Sequence, residues 1–383
     1  MNPIEELRAA RPAHLGDVPT DERTRRSELA YAMSHDRPTR RRRKPRLAWG
    51  LGLAGAAAGV TAVAVLATST GAGTAPRPPS AAIGSGTPAS STPASSAPVR
   101  LSAQQVLLVA ATSAERRPPA SGRFWHTETF ARGLVTTSDG YTMASEQRSE
   151  MWVGKNGQWS RGQYLGAEPA TPDDRAKWEA AGSPAEVRIS MPGKGTRDRR
   201  LPLAAGKPYS DHHSGKEVFW LGRNVTLDDL AGLPDDEAGL KAWLLRNYEG
   251  KDTESDRPMA EDAWLFQVTA GLITDMPVSA KVRGAAFRML AALPSVTAVG
   301  QVTDGQGRSG TAIAIETESR VSARDADHGI LQDRLIIDEA AGVALARESV
   351  VVKPGGMQAG LAPGTVWNTA TVVRAEWTDS RTS

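Results

Sequence analysis

The sequence predicts an α+β fold, with one curved antiparallel extracytoplasmic sheet carrying helices on one face, preceded by a single transmembrane helix. Three observations carry this expectation. The stretch Leu47–Ala67 is 21 residues long and holds no charge. Beyond it, helical and strand-like periodicities segregate in the order helix, strands, three helices, strands, where a doubly wound fold would alternate. Two turn signals, Asn156-Gly157 and Asp304-Gly-Gln-Gly307, each join strand-like runs as hairpins do.

The apolar stretch comes first. At ~1.5 Å per residue it covers roughly 30 Å as a helix, the hydrocarbon thickness of a bilayer. Trp49 stands at its start, where interfacial aromatics collect. Arg40, Arg41, Arg42, Arg43, Lys44 and Arg46 form a basic block just before it, while the far flank is Thr, Ser, Gly, Ala and Pro with Arg77. The positive-inside rule then places the N-terminus in the cytoplasm and the C-terminal part outside the cell membrane. A cleaved signal peptide is the competing reading, because Thr70–Ala75 is built of small residues. A 46-residue leader before the apolar run favours an uncleaved anchor in the bilayer.

The organisation follows: a basic cytoplasmic tail over 1–46, the membrane span over 47–68, a Pro/Ser/Thr-rich disordered stalk over 69–100, and an extracytoplasmic α+β domain over 101–378. The tail is too short for a conventional domain. It either orients the anchor or docks a cytoplasmic regulator through residues 1–46. The stalk composition cannot bury a core, so it serves as a spacer.

Within the outer domain, Ser102–Glu115 reads as a helix with Ser102 as N-cap and Val106, Leu107, Ala110 and Ala111 as its buried stripe. Arg123–Ala131 alternates Phe124, His126, Glu128 and Phe130 against Trp125, Thr127 and Thr129, and Thr142–Val153 is the next strand. Trp152 and Trp159 lie on either side of the Lys155–Gln158 turn, as a cross-strand pair or flanking one. Helices are expected over Asp235–Tyr248 (Leu240, Trp243, Leu244 inward), Met259–Asp275 (Trp264, Leu265, Val268, Leu272) and Ser279–Ala292 (Val282, Ala286, Met289, Leu290). Strands follow over Val296–Thr303, Gly310–Thr317, Arg334–Ile337, Gly342–Val352 and Val366–Glu376, as a meander.

Composition excludes several functions. There is no cysteine, which removes disulfides, thiol catalysis and Cys-type zinc sites. The net charge is +3, but residues 1–99 carry 13 basic and 7 acidic side chains, so the large domain is slightly acidic and offers no nucleic-acid footprint. His126, on a strand beside Trp125, reads as structural. Adjacent His212 and His213 diverge on regular backbone, and no zinc-like spacing supplies further ligands. Gly305–Gly310 is a hairpin turn lacking the Lys-Ser/Thr and helix of a phosphate loop. Asp173-Asp174 and Asp235–Glu237 suit helix starts. No catalytic, cofactor or metal residue is assigned, and the chain is not expected to be an enzyme. The 10 Trp are either core or, at Trp125, Trp152 and Trp159, an apolar ligand surface.

The tail Leu7–Pro12 and Arg26–Met33, the Arg block and anchor, Leu240–Leu245, Phe266–Val296 and the hairpin Val302–Arg308 together resemble a family of actinobacterial single-pass membrane proteins. These are encoded near extracytoplasmic-function sigma factors. The resemblance implies transmembrane signalling of an anti-sigma-like kind, with a sigma factor as partner of the tail, although the His/Cys zinc motif of well-known anti-sigma domains is missing. By element order the outer domain also distantly resembles lipoprotein-carrier half-barrels. The sequence thus predicts a membrane-anchored extracytoplasmic sensing or binding protein. The alternative is a stalk-tethered carrier of lipid or another apolar ligand.

Overall fold

A computed structural model describes residues 101–191, 197–215, 217–254, 257–319 and 328–381. The tail, the anchor with its basic flank and Trp49, and the stalk lie outside the described residues. Among the described residues no helix is long and apolar enough to cross a membrane.

The chain runs α1 (Ala103–Glu115), β1 (Phe124–Thr136), β2 (Thr142–Gly154), β3 (Gly157–Pro169), α2 (Pro172–Ala180), β4 (Glu186–Met191), β5 (Arg197–Pro202) and β6 (Tyr209–His213). It continues through β7 (Glu217–Trp220), β8 (Arg223–Thr226), α3 (Leu227–Ala231), α4 (Glu237–Leu245), α5 (Glu261–Asp275) and α6 (Ala280–Ala291). It closes with β9 (Thr297–Thr303), β10 (Ser309–Ser319), β11 (Gly329–Asp338), β12 (Val343–Lys353) and β13 (Val366–Thr378).

Nine strands form one open, curved antiparallel sheet in the order β6-β3-β2-β1-β13-β12-β11-β10-β9. The α+β expectation therefore holds at this level. The two meanders are sewn together by pairing the first strand with the last, Phe124 opposite Thr378 through Gly133 opposite Asn368. Register shifts interrupt several ladders, at Glu128/Thr129, Glu146/Gln147 and Ile336/Ile337 among others. Each extra residue bends its strand and adds twist, which curves the sheet. The edge strand β6, Tyr-Ser-Asp-His-His, is short, polar and exposed throughout, a composition that discourages further strand addition.

Helices α1, α4, α5 and α6 share the core with one face of the sheet, meeting Ile313, Ile315, Leu335 and Ile337 there. Ser102 caps α1 reciprocally: its hydroxyl accepts from the Gln105 N–H at 3.2 Å, and Gln105 Oε1 accepts from the Ser102 N–H at 2.8 Å. The inward stripe of α1 is as anticipated, with Val106, Leu107, Ala110 and Ala111 fully buried. Sequestering a Leu side chain of this kind contributes about 1.5–3 kcal/mol. The small residues let α6 approach, and Gly284 of α6 sits where a Cβ would strike Glu115. Glu115 in turn takes a two-pronged ion pair from Arg288 of α6. Ser279 caps α6 as expected.

The helices came out close to their anticipated bounds, with α4 trimmed to Glu237–Leu245 behind its Asp236 cap. Strands β4 to β8 and helix α3 had no counterpart in the sequence reading. The β4–β5 hairpin covers the flank of the sheet through Val187, Ile189, Tyr141 and Met143. The β7–β8 hairpin turns on Leu221-Gly222, both with positive φ (55° and 69°), without the Asn-Gly or Asp-Gly that marks such turns.

Candidate functional site

Helix α5 is buried along most of its length and ends at Asp275. A carboxylate there is locally wrong, because the C-terminal end of a helix repels negative charge. The explanation is tertiary. Arg347 of β12 projects from the sheet and its Nη2 meets Asp275 Oδ2 at 3.0 Å. Trp125 of β1 reaches the same helix end, its indole N–H donating to the Asp275 carbonyl at 2.8 Å.

Around this pair lies a cavity of about 40 Å³, walled by Phe219, Trp220, Leu221, Val268 and Met276 and carrying Glu254, Gln267, Asp275 and Arg347. Each wall is positioned by its own element. Trp220 donates its indole N–H to the Val268 carbonyl at 3.1 Å and stacks on Trp243 with centroids 5.9 Å apart. Gly222 is pressed against the Thr253 carbonyl, where a Cβ would stand 2.3 Å away. That contact fixes the β7–β8 turn against the loop bearing Glu254. Gly271 of α5 faces the same cavity, where an added Cβ would meet Arg347 Nη1 at 3.7 Å and the Trp220 indole at 4.0 Å, ordinary packing distances.

The electrostatics are unusual for an interior. Burial, helped by Asp252 and opposed by Arg347, pushes the Glu254 carboxyl up to about 7. Burial also raises Asp275, against the pull of Arg347. Nearby Asp333 of β11 is raised by burial too, although Ser349 Oγ at 2.5 Å and Thr317 Oγ1 at 2.7 Å donate to it. Gln267 Oε1 is buried with no hydrogen-bond partner. Perturbed carboxyls, one arginine and an unsatisfied acceptor beside an apolar wall are the ingredients of a small-molecule site.

The Trp residues singled out from sequence divide between the two faces. Trp152 and Trp159 are a directly opposed cross-strand pair. Trp125 points to the helix side, while its neighbour His126 stacks on Trp152, centroids 4.4 Å apart, on the other side. Side chains of successive strand residues leave opposite faces, so the three indoles do not form one surface. Trp152 is buried, and Trp159 packs against Phe124, His212 and Arg381. His212 and His213 lie on the exposed edge strand. The acidic pair Asp173-Asp174 begins α2, where Asp174 accepts from the Thr142 N–H.

The helix-free face carries a second cluster. His126, Glu128 and Glu150 present ligand-type atoms all within 4.8 Å of one another, and all three are buried. Burial, then Arg374, holds the His126 imidazole below its usual range.

Neither group was legible in the sequence as a motif, because each is assembled from separate elements. The strand Val343–Lys353 did hold a signal: Arg347-Glu348-Ser349 stands between the apolar runs 343–346 and 350–352.

The chain matches no protein-family model and no curated protein sequence. Neither comparison therefore supplies a match behind the actinobacterial resemblance. Among solved structures it aligns with a LolA superfamily protein from Nitrosomonas europaea, over 73% of this chain and 95% of the other, at 9% identity and a TM-score of 0.15. An overlap this weak carries no argument about shared ligand or activity.

Proposed function

We propose that this chain is a single-pass membrane protein that holds its α+β domain outside the cell as a non-enzymatic sensing or binding module. Its ligand site would be the cavity at the end of α5, and its cytoplasmic tail would contact a regulator such as a sigma factor. The observation that carries the binding reading is the unpartnered Gln267 Oε1 in a cavity shared by Glu254 and the Asp275–Arg347 pair. A ligand with a hydrogen-bond donor on a small apolar body complements those groups. The uncharged stretch Leu47–Ala67 behind its basic block supports the anchored topology.

The carrier alternative asks more of the fold. Drug-sized pockets occupy about 300–1,000 Å³, against about 40 Å³ here. An acyl chain would enter only after the β7–β8 hairpin or the Glu254 loop moved aside.

The test combines two measurements on the full-length chain. Protease treatment of wall-stripped cells should remove the outer domain and spare the tail. Native mass spectrometry of the detergent-purified protein should reveal a small bound mass that is lost in Gln267→Leu. A bound phospholipid mass would replace this reading with the carrier. A protected outer domain would overturn the topology.

A further inference from the structure

The helix-free face holds a different chemistry. His126 and Glu128 are two residues apart on β1 and so leave the same face of the strand. Glu150 comes from β2, where it stands directly opposite Arg161 of β3. The three residues are 2%, 5% and 3% exposed. Groups this buried are almost always hydrogen-bonded, yet His126 Nε2 and Glu150 Oε2 have no hydrogen-bond partner.

These two atoms face each other across 3.7 Å. That is too long for a hydrogen bond. It is close to the roughly 3.4 Å between two ligands that each stand about 2.0–2.2 Å from a tetrahedral ion.

Arginines surround the carboxylates, and Arg374 Nε lies 3.7 Å from Glu128 Oε2. Arg148 grips Glu128 Oε1 through Nε at 2.8 Å and Nη2 at 2.7 Å. Glu150 Oε1 is drawn outward by Arg148 at 3.6 Å and Arg161 at 3.8 Å, leaving Oε2 turned to the imidazole. Trp152, stacked on His126 at an interplanar angle of 12°, fixes the ring's rotation. Supporting contacts that orient each ligand are what a metal site requires of its surroundings.

We propose that His126, Glu128 and Glu150 form a binding site for a divalent first-row transition ion such as zinc. One imidazole nitrogen and two carboxylate oxygens bind the ion, and one position stays open. Arg148, Arg161 and Arg374 are matched in number by Glu128, Glu150 and Glu376, so the cluster is close to neutral before an ion enters. The ion then leaves it positive, and the open position favours an anionic oxygen ligand over neutral water. One nitrogen with oxygen donors and no thiolate suits zinc or manganese better than copper(I).

The experiment uses the full-length chain in detergent, stripped with a chelator and titrated with Zn²⁺ against a chromophoric chelator. One ion per chain is expected, with affinity reduced at least about tenfold in His126→Gln and in Glu150→Gln. Because buried variants can misfold, Co²⁺ is added to the wild-type chain in parallel. Its visible spectrum and X-ray absorption edge should report one imidazole nitrogen among oxygen ligands. Absence of saturable uptake overturns the site. So does uptake of equal affinity in both folded variants, which would place the ion elsewhere, or a cobalt shell of oxygen alone.

Discussion

Arg347 Nη2 lies 3.0 Å from Asp275 Oδ2, joining a central strand to the last residue of the buried helix Glu261–Asp275. The Arg347 side chain is 4% exposed and that of Asp275 is 19% exposed, and both line the cavity. Removing one member leaves the other charge without its partner in a poorly solvated place. Asp275→Leu should cost about 3–5 kcal/mol. The double variant Asp275→Leu, Arg347→Met should recover much of that loss, because no buried charge is then stranded. Urea unfolding of the four proteins of the cycle measures this. A single-variant cost below about 1 kcal/mol would show that the pair does not anchor the helix end.

Glu254 makes stability depend on pH. Its folded-state carboxyl is raised to about 7, mainly by burial, while an unfolded chain titrates near 4.3. Between those values the folded state binds more protons than the unfolded state. The protonated form therefore contributes stability that is fully present below the unfolded value and is lost as pH rises through about 7. Thermal unfolding from pH 5 to pH 8 should show a fall of about 1–2 kcal/mol, after discounting for the solvent that reaches the cavity. Glu254→Gln should flatten that slope and be the more stable protein at pH 8. An unchanged slope in the variant would remove Glu254 as the source.

Gly342 holds the turn between β11 and β12 at φ +64°, with the site of a Cβ only 2.2 Å from the Ala114 backbone nitrogen. Alanine there meets both a left-handed backbone and the end of helix α1. Gly342→Ala should cost about 2–4 kcal/mol. Gly140, also at positive φ but with open space around it, is the control. Its alanine variant should cost about 1 kcal/mol, from the backbone conformation alone. Equal losses at the two positions would mean that the α1 contact adds nothing.

Local patterning carried much of this architecture. Ser102 with Gln105, Ser279, and the apolar stripes of Val106–Ala111 and Val282–Leu290 announce helices because capping and 3.6-residue periodicity act over a few neighbours. The Lys155-Asn156 turn and its flanking Trp152 and Trp159 similarly specify a hairpin from within one stretch of chain. Where local signals were weak, as at Leu221-Gly222 and the short strands from Glu186 to Thr226, the elements stayed hidden.

The sequence by itself determined the helices of the core, the hairpins of the two meanders and the α+β class, all consequences of interactions between near neighbours. Only the tertiary structure decided that β1 pairs with β13, since that register depends on residues some 240 positions apart. It alone sent Trp125 to one face and Trp152 to the other. It also brought Arg347 to Asp275 and Glu254, and Glu150 to His126 and Glu128. Those groups come from separate strands, helices and loops, and their chemistry arises from the desolvation they share, which no local pattern encodes.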